Sequence, residues 1–327
     1  MIRAVESINH LRPVPGADYK LRLPNLLGAV PDGARIMTRP ASEGLDEGQM
    51  FDGFKQWWDA FGGLNERWPV HYLSNEINHF GNRGHLDGIG GPSGYVRHAK
   101  RAIGRIESTY GIDAVLLCSL GGLLIPDSEL DTWIEAHREI ATWFETTYGW
   151  ALELDAHLYM QGVEDNPSEN ETRMANALWD VQRQLMFRRT GWVSEFNDSG
   201  NGSVEFRVAN CVEMQRRLAA LQVRGTALFC NDSWQDHNGV EFGYSVGDQA
   251  TIVAAAGEAP APPPIRGGAD MPDEYAVGDG IAKEMTKQGD VPASNEWYPI
   301  PGLALAAGVK GLYVYTPKGG TRTLPFK

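Results

Sequence analysis

Two glutamates stand at the ends of short apolar runs of the kind that form buried strands. Glu76 comes shortly after the run at residues 70–73, and Glu195 directly follows the run at 191–194. In folds that alternate strands and helices around a barrel, ionisable groups at the C-terminal ends of the strands carry the chemistry. Two carboxyl groups that face each other there can supply the acid/base and nucleophilic steps that cleave a glycosidic bond. The elements that position the two glutamates must bring them together.

Short apolar runs alternate with longer amphipathic stretches along most of the chain. The runs lie at 35–38, 70–73, 114–118, 150–154, 191–194 and 226–230, with a further candidate strand at 3–8; helical patterns lie at 49–61, 94–110, 127–147, 168–189 and 209–222. Most runs are apolar on both faces, as in buried parallel strands joined by right-handed helical crossovers. No Gly-x-Gly-x-x-Gly follows a run, which argues against a dinucleotide-binding sheet.

This alternation predicts an α/β fold, namely a (β/α)8 TIM barrel. Residues 1–33 leave little room for full helices, so we expect the barrel to be irregular at its N-terminus. Residues 259–264 (Ala-Pro-Ala-Pro-Pro-Pro) predict a stiff, extended linker. The predicted organisation is a catalytic barrel at 1–257, a Pro-rich linker at 258–266 and a small C-terminal module of α+β or β type at 267–327. Residues 240–256 either close the barrel or begin that module.

Composition and charge restrict the partners. The net charge of −13 would repel a nucleic-acid backbone, and no run reaches the roughly 18 apolar residues that read as a membrane-spanning helix. The three cysteines lack metal-ligand spacing, and their odd number argues against a disulfide framework. The first residues lack the apolar stretch of a secretory signal, so we expect a cytoplasmic protein or one released by lysis.

The residues at the predicted strand ends follow a distinctive order. Asn75-Glu76 comes first, then the segment 157–159 (His-Leu-Tyr), then Glu195, then Trp234. This order resembles the clan A retaining glycoside hydrolases, in which strand 4 ends in Asn-Glu, strand 6 in His-x-Tyr, strand 7 in the nucleophilic Glu and strand 8 in a Trp. The apolar run at 114–118 separates the first two motifs, as strand 5 should. The resemblance covers roughly residues 34–236.

The resemblance implies a role for each matching residue. Glu76 would be the general acid/base, Glu195 the nucleophile, and Asn75 a hydrogen-bond partner of the sugar 2-hydroxyl group. A retaining mechanism needs its two carboxyl groups about 5 to 5.5 Å apart, one protonated and one ionised.

Five more residues are predicted to bind substrate or support the nucleophile. His157 and Tyr159 alternate along one strand, so both side chains can point into the mouth of the barrel. Trp234 would be the stacking floor for a sugar ring, and Asp232 would contact sugar hydroxyl groups. Arg39 resembles the strand-2 arginine that supports the nucleophile, although the single predicted helix between it and Glu76 would make its strand the third.

The favoured function is that of a retaining glycosidase that acts on a β-linked oligo- or polysaccharide without a cofactor or metal. One alternative is a non-catalytic, carbohydrate-binding barrel of a cell surface or virion, which predicts a wide gap between the two glutamates. Another is a metal-dependent hydrolase that holds a divalent ion with His79, His85 and Asp87.

Overall fold

The structure is a computed structural model that describes residues 1–7, 11–111, 116–118, 127–186, 191–229, 243–258, 311–316 and 320–325. The chain divides into two compact units, Met1–Ala261 and Pro262–Lys327. Each unit is described by itself.

The first unit alternates strands with helices. Its strands are β1 (Ile2–Ser7), β2 (Asp18–Leu21), β3 (Ile36–Thr38), β4 (Val70–Ser74), β5 (Leu116–Cys118), β6 (Leu154–Met160), β7 (Gly191–Asp198) and β8 (Gly225–Leu228). Its α-helices are α1 (Glu47–Phe61), α2 (Arg83–Ile89), α3 (Gly91–Tyr110), α4 (Asp127–Tyr148), α5 (Pro167–Gln184), α6 (Val204–Ala220) and α7 (Val246–Ala254).

The eight strands form one parallel sheet that curls into a barrel. Their order is β5-β4-β3-β2-β1-β8-β7-β6, and every recorded pair is parallel. The first strand pairs with both the second and the eighth, as in a (β/α)8 barrel, and the strands at the two ends of the order, β5 and β6, lie in contact. Among the described residues of the two connections between β1 and β3, the helical structure is a short 3-10 helix, Pro24–Ala29, so the expected irregularity lies there.

One strand lies later in the chain than the sequence predicts. The run at 150–154 leads into β6, which begins at Leu154 and continues to Met160. Trp150 packs edge-on against Phe144 of α4, with ring centroids 4.6 Å apart. The chain therefore stays with the preceding helix for several residues before strand pairing begins, and His157 and Tyr159 fall within the strand.

Side-chain alternation along β6 separates the apolar core from the barrel interior. Leu154, Ala156, Leu158 and Met160 belong to the large apolar cluster that includes buried faces of the surrounding helices, while the residues between them occupy the opposite face. A smaller apolar cluster is formed by residues of β1, β3, β4, β7 and β8: Ile2, Ala4, Met37, Val70, Tyr72, Trp192 and Ala227. It lies toward the N-terminal ends of most of these strands, so polar side chains occupy the interior nearer the C-terminal ends.

Capping side chains set where several helices begin. Asp46 accepts a hydrogen bond from the N–H of Gln49 at the start of α1, and Ser203 accepts one from the N–H of Phe206 at the start of α6. Each satisfies a first-turn donor that the helix itself leaves unpaired. The lengths of the loops that follow β3 and β7 are thereby defined.

The remaining described residues complete the first unit and form part of the second. Helix α7 packs against α6 and β1, so residues 246–254 belong to the barrel unit. In the second unit, β9 (Gly311–Thr316) and β10 (Gly320–Pro325) pair antiparallel. Residues 259–266 lie outside the described residues, and the predicted domain boundaries remain a prediction. None of the helices in the described ranges combines the length and apolar character needed to cross a membrane.

A buried carboxylate at the end of β7 connects two loops. Asp198 is fully buried and accepts hydrogen bonds from the backbone N–H groups of Gly162 (2.9 Å) and Gly200 (2.8 Å) and from the side-chain amide of Asn210 (2.6 Å). These bonds join the loop after β6, the loop after β7 and helix α6.

We therefore expect Asp198→Ala to destabilise the barrel. The substitution leaves three donors without their acceptor, and each unsatisfied buried group costs about 1–3 kcal/mol. Urea denaturation should show a loss of about 2–4 kcal/mol in the free energy of unfolding. The matched control is Asp165→Ala in the exposed part of the loop after β6, which should change stability by less than about 0.5 kcal/mol. Equal effects of the two substitutions would contradict this account.

Candidate active site

Charged side chains meet inside the barrel toward the C-terminal ends of its strands. Glu6 of β1, Lys20 of β2, His157 of β6 and Glu195 of β7 are each 2% exposed or less. Burying so many charges is favourable only when they are paired. Their contacts therefore define the chemistry of this site.

Glu195 is held by donors on both carboxylate oxygens. Its Oε1 accepts a hydrogen bond from the ammonium group of Lys20 at 2.6 Å, and its Oε2 accepts one from the phenol of Tyr159 at 2.6 Å. Burial opposes ionisation of Glu195, but His157, Lys20 and Arg39 outweigh it and hold the pKa of this carboxyl well below its usual range. These contacts favour the ionised form of Glu195.

Lys20 and Glu6 belong to the site, and the sequence reasoning missed both. Lys20 also contacts Glu6, with Nζ 3.1 Å from Oε2. Burial and the neighbouring charge of Glu195 raise the pKa of Glu6 to about 7, against the opposing influence of Lys20 and Arg39. The available signal was a charged residue within a buried strand, but the strand that carries Lys20 has only four residues and was not recognised.

A bulge in β7 turns two consecutive residues toward the interior. Against β6, Ala156 pairs with Val193 but His157 pairs with Glu195, so β7 has one extra residue at Ser194. Such bulges redirect side chains near active sites. Ser194 can then approach His157 at 3.2 Å while Glu195 approaches it at 3.4 Å.

Glu76 occupies the loop directly after β4 in a left-handed backbone conformation, with φ of 42°. This conformation is unfavourable for a residue with a side chain. It is stabilised because the carbonyl of Glu76 accepts hydrogen bonds from the N–H of His79 (2.8 Å) and the side-chain amide of Asn82 (2.9 Å). The loop thereby directs the Glu76 carboxylate to His157, whose Nδ1 lies 3.1 Å from Oε1.

The two predicted carboxylates converge. Atoms from Glu76, His157 and Glu195, one carboxylate oxygen from each Glu and one ring nitrogen from His157, all lie within 4.8 Å of one another. The side chain of Glu76 is 27% exposed, whereas that of Glu195 is 3% exposed. One carboxyl group thus faces the solvent side of the mouth and the other lies in its floor.

His157 connects these carboxylates to a third one. Its Nε2 lies 3.2 Å from the hydroxyl of Ser194, and that hydroxyl donates to Asp155. Burial alone would disfavour the charged imidazole, but Glu195 and Glu76 raise the pKa of His157 above its usual value. The sequence predicted His157 to face the mouth, and it offered no sign of the link to Asp155.

Asn75 and Arg39 lie near the two carboxylates of Glu76 and Glu195. The side-chain amide of Asn75 donates to Glu43 at 2.9 Å, and Arg39 lies 3.4 Å from both Glu6 and Glu43. Arg39 follows β3 rather than β2, so its match to a strand-2 arginine fails in the strand number. The cation from β2 that contacts Glu195 is Lys20.

Two predicted site residues, Asp232 and Trp234, lie outside the described residues. The predicted metal ligands His79, His85 and Asp87 do not form a cluster among the residues described; His85 instead pairs with Asp46 at 3.0 Å. Across the described ranges, the group with metal-ligand spacing is Glu76, His157 and Glu195. Lys20 already donates to Glu195, and its charge opposes a cation there.

Solved structures with a similar fold include glycoside hydrolases. An endo-β-1,3-glucanase of family GH128 from Amycolatopsis mediterranei, in complex with laminaritriose, is 12% identical, with a TM-score of 0.51 over 78% of this chain and 100% of that chain. A GH5-4 broad-specificity endoglucanase from Clostridium longisporum is 9% identical, with a TM-score of 0.51 over 74% of this chain and 82% of that chain.

No protein-family model matches the sequence, and no curated protein matches it. At identities this low, the likeness to the solved structures concerns the fold. It agrees with the strand order and confirms the predicted (β/α)8 barrel as the fold that this chain shares with those two glycoside hydrolases.

Proposed function

We propose that this protein is a retaining glycoside hydrolase that cleaves a β-linked oligo- or polysaccharide. Glu195 is the nucleophile and Glu76 is the general acid/base. The observation that carries the proposal is the approach of their carboxylate oxygens to within 4.8 Å in the mouth of the barrel. Retaining enzymes have carboxyl groups about 5–5.5 Å apart, whereas inverting enzymes need about 6.5–9.5 Å to admit a water molecule.

The contrast between the two environments supports this division of roles. Glu195 receives hydrogen bonds from Lys20 and Tyr159, which favour its ionised form and fix the orientation of its carboxylate. Among the residues that the structure describes, Glu76 has no such ammonium contact; its Oε1 faces the imidazole of His157, and its side chain reaches solvent. An acid/base must exchange its proton with a leaving group and then with water, which requires access that a nucleophile in the floor does not need.

The reaction follows from these positions. Glu195 attacks the anomeric carbon while Glu76 gives its proton to the departing glycosidic oxygen, so a glycosyl ester forms on Glu195. Glu76 then takes a proton from water while the water oxygen attacks the anomeric carbon, so the bond between that carbon and Glu195 breaks and Glu195 leaves as a carboxylate. Glu195 is buried beside Lys20, so the ammonium group is already in place to stabilise the negative charge that returns to Glu195 when the ester breaks.

The substrate class is a β-glucan. The two solved structures that share the fold at a TM-score of 0.51 are an endo-β-1,3-glucanase and a broad-specificity endoglucanase. Asn75, whose amide is oriented by Glu43, is proposed to contact the sugar beside Glu76. Trp234 and Asp232 are retained from the sequence as proposed contacts to the sugar ring and its hydroxyl groups.

Replacement of each glutamate by alanine should stop hydrolysis of β-1,3- and β-1,4-linked gluco-oligosaccharides. Glu195→Ala should lose about 10⁴-fold or more in kcat, because the covalent step is removed. With an activated aryl β-glycoside and azide, it should form the α-glycosyl azide, whereas Glu76→Ala should form the β-glycosyl azide. NMR of the products distinguishes the two anomers.

The matched control is Glu129→Ala, an exposed carboxylate on α4 that pairs with Arg83 at the surface. It should retain wild-type turnover. Unchanged turnover in both active-site variants would refute the two-glutamate mechanism. Oligosaccharide binding without turnover by the wild type would favour a carbohydrate-binding protein instead.

The acidic limb of the pH profile should depend on Lys20. The ammonium group favours the ionised form of Glu195, so its removal in Lys20→Met should raise the pKa of Glu195. The acidic limb of kcat/KM should then move to higher pH by about one unit or more, the effect of removing a close opposite charge. Measurement of kcat/KM against pH with an aryl β-glycoside provides the test.

Lys20→Arg is the control, because it keeps the positive charge and should keep the acidic limb near its wild-type position. Near-ultraviolet circular dichroism verifies that each variant is folded. A folded Lys20→Met protein with an unchanged acidic limb would show that Lys20 does not set the ionisation of the nucleophile.

A further inference from the structure

A chain of buried polar groups connects Glu76 to a carboxylate deeper in the barrel. Asp155, Ser194 and His157 are each 1% exposed or less. Asp155 accepts hydrogen bonds from both the backbone N–H and the hydroxyl of Ser194, and the hydroxyl oxygen lies 3.2 Å from Nε2 of His157. The other ring nitrogen, Nδ1, faces Glu76 at 3.1 Å.

The donors and acceptors in this chain determine where the protons lie. A carboxylate can only accept hydrogen bonds, so the single hydroxyl proton of Ser194 is directed at Asp155. The hydroxyl oxygen then presents lone pairs to His157. Nε2 of His157 must therefore carry a proton and donate it to Ser194, which leaves Nδ1 without a proton whenever the imidazole is neutral.

An unprotonated Nδ1 would face two carboxylate oxygens, from Glu76 at 3.1 Å and from Glu195 at 3.4 Å. Lone pairs facing one another in a buried site are unfavourable, so one proton must lie among these three groups. Glu195 does not hold it, because Lys20 and Tyr159 already donate to its two oxygens. The proton is shared by Nδ1 of His157 and Oε1 of Glu76.

We propose that Asp155, acting through Ser194, fixes a proton on Nε2 of His157 and thereby keeps the catalytic proton between His157 and Glu76. Asp155 and Ser194 are positioning residues in this scheme, since they lie behind His157. The inference deepens the proposed function and rests on it for its kinetic consequences. When the glycosidic oxygen takes the shared proton from Glu76, Nε2 keeps its own, and the proton later taken from water restores the pair.

The charged and titratable groups around His157 are consistent with this arrangement. Glu76 approaches from the loop after β4 and Glu195 from β7, and both favour protonation of the imidazole; Lys20 from β2 opposes it. Asp155 lies on the same strand with Oδ2 3.8 Å from Nε2, and the ring of Tyr159 lies edge-on with centroids 6.2 Å apart. Tyr72 of β4 stays neutral, because burial and Asp155 raise the pKa of its phenol.

Asp155→Asn tests the inference because it reverses the direction of the hydrogen bonds that run from residue 155 through Ser194 to His157, with little change in side-chain shape. The new amide donates to Ser194, the Ser194 hydroxyl then donates to Nε2, and the neutral imidazole carries its proton on Nδ1. Nδ1 now donates to Glu76 and favours its ionised form. The basic limb of kcat/KM should move to lower pH by about one unit.

The leaving group separates this effect from a general loss of structure. Hydrolysis of an unactivated oligosaccharide, which needs the general acid, should fall about 10²–10³-fold in Asp155→Asn, whereas hydrolysis of a 2,4-dinitrophenyl β-glycoside should fall less than about 10-fold. Ser194→Ala should likewise lower the hydrolysis of the unactivated oligosaccharide more than that of the 2,4-dinitrophenyl β-glycoside. Ser74→Ala is the matched control: it removes another buried strand hydroxyl, bonded to Tyr95 at 2.6 Å, and should leave the ratio of the two substrates unchanged.

The ring protonation can be measured without any substrate. In protein with ¹⁵N-labelled histidine, the His157 signals, assigned by their loss in His157→Asn, should show a proton on Nε2 throughout the titration of the wild type. Above the His157 pKa, Asp155→Asn should show it on Nδ1 instead. A neutral wild-type His157 protonated on Nδ1 would overturn the inference even if the glycosidase activity is established. Absence of glycosidase activity with the expected spectra would overturn the proposed function and leave the proton assignment standing.

Discussion

Compensation of buried charge is the constraint on which the rest of this structure depends. Four buried ionisable groups in the barrel, Glu6, Lys20, Arg39 and Glu195, form a connected set of two carboxyl groups and two cations. A single charge of this kind in the interior would be strongly destabilising, and pairs recover the cost only with good geometry. The strands that carry these residues must therefore keep their register, which also keeps Glu195 in place.

The register of the barrel strands determines which side chains face its interior. In β6, alternate residues face the helices and the interior, so three polar residues at 155, 157 and 159 line one side of the mouth while apolar residues pack behind them. The bulge at Ser194 adds a second interior-facing residue to β7. The bulge and the loop after β4 bring the two acids of the proposed mechanism to the same ring nitrogen of His157, Nδ1, which lies 3.1 Å from Glu76 and 3.4 Å from Glu195.

The same geometry explains how two identical side chains differ in chemistry. Glu195 lies in the floor among cations and a phenol, so its charge is stabilised before substrate arrives. Glu76 lies in a loop whose left-handed backbone is maintained by His79 and Asn82, and it reaches solvent. Environment, rather than residue type, assigns the roles of nucleophile and acid/base in the proposed mechanism.

The sequence by itself determined the alternation of strands and helices, the parallel barrel and the two strands associated with Glu76 and Glu195, because these depend on local periodicity and on chain order. It placed Glu195 just past the end of its strand, whereas Glu195 lies within β7, which continues to Asp198. Only the tertiary structure decided which residues meet these carboxylates. Lys20 and Glu195 are 175 positions apart, and Asp155 meets Ser194 across 39 positions through a strand register that includes a bulge. Strand β2 is four residues long and was not recognised, so local pattern did not indicate Lys20. On β6 the alternation of His157 and Tyr159 indicated that both face the mouth, but not that Asp155 belongs to the site. Contacts of this kind depend on strand pairing, and one residue of register reverses the face that a side chain occupies.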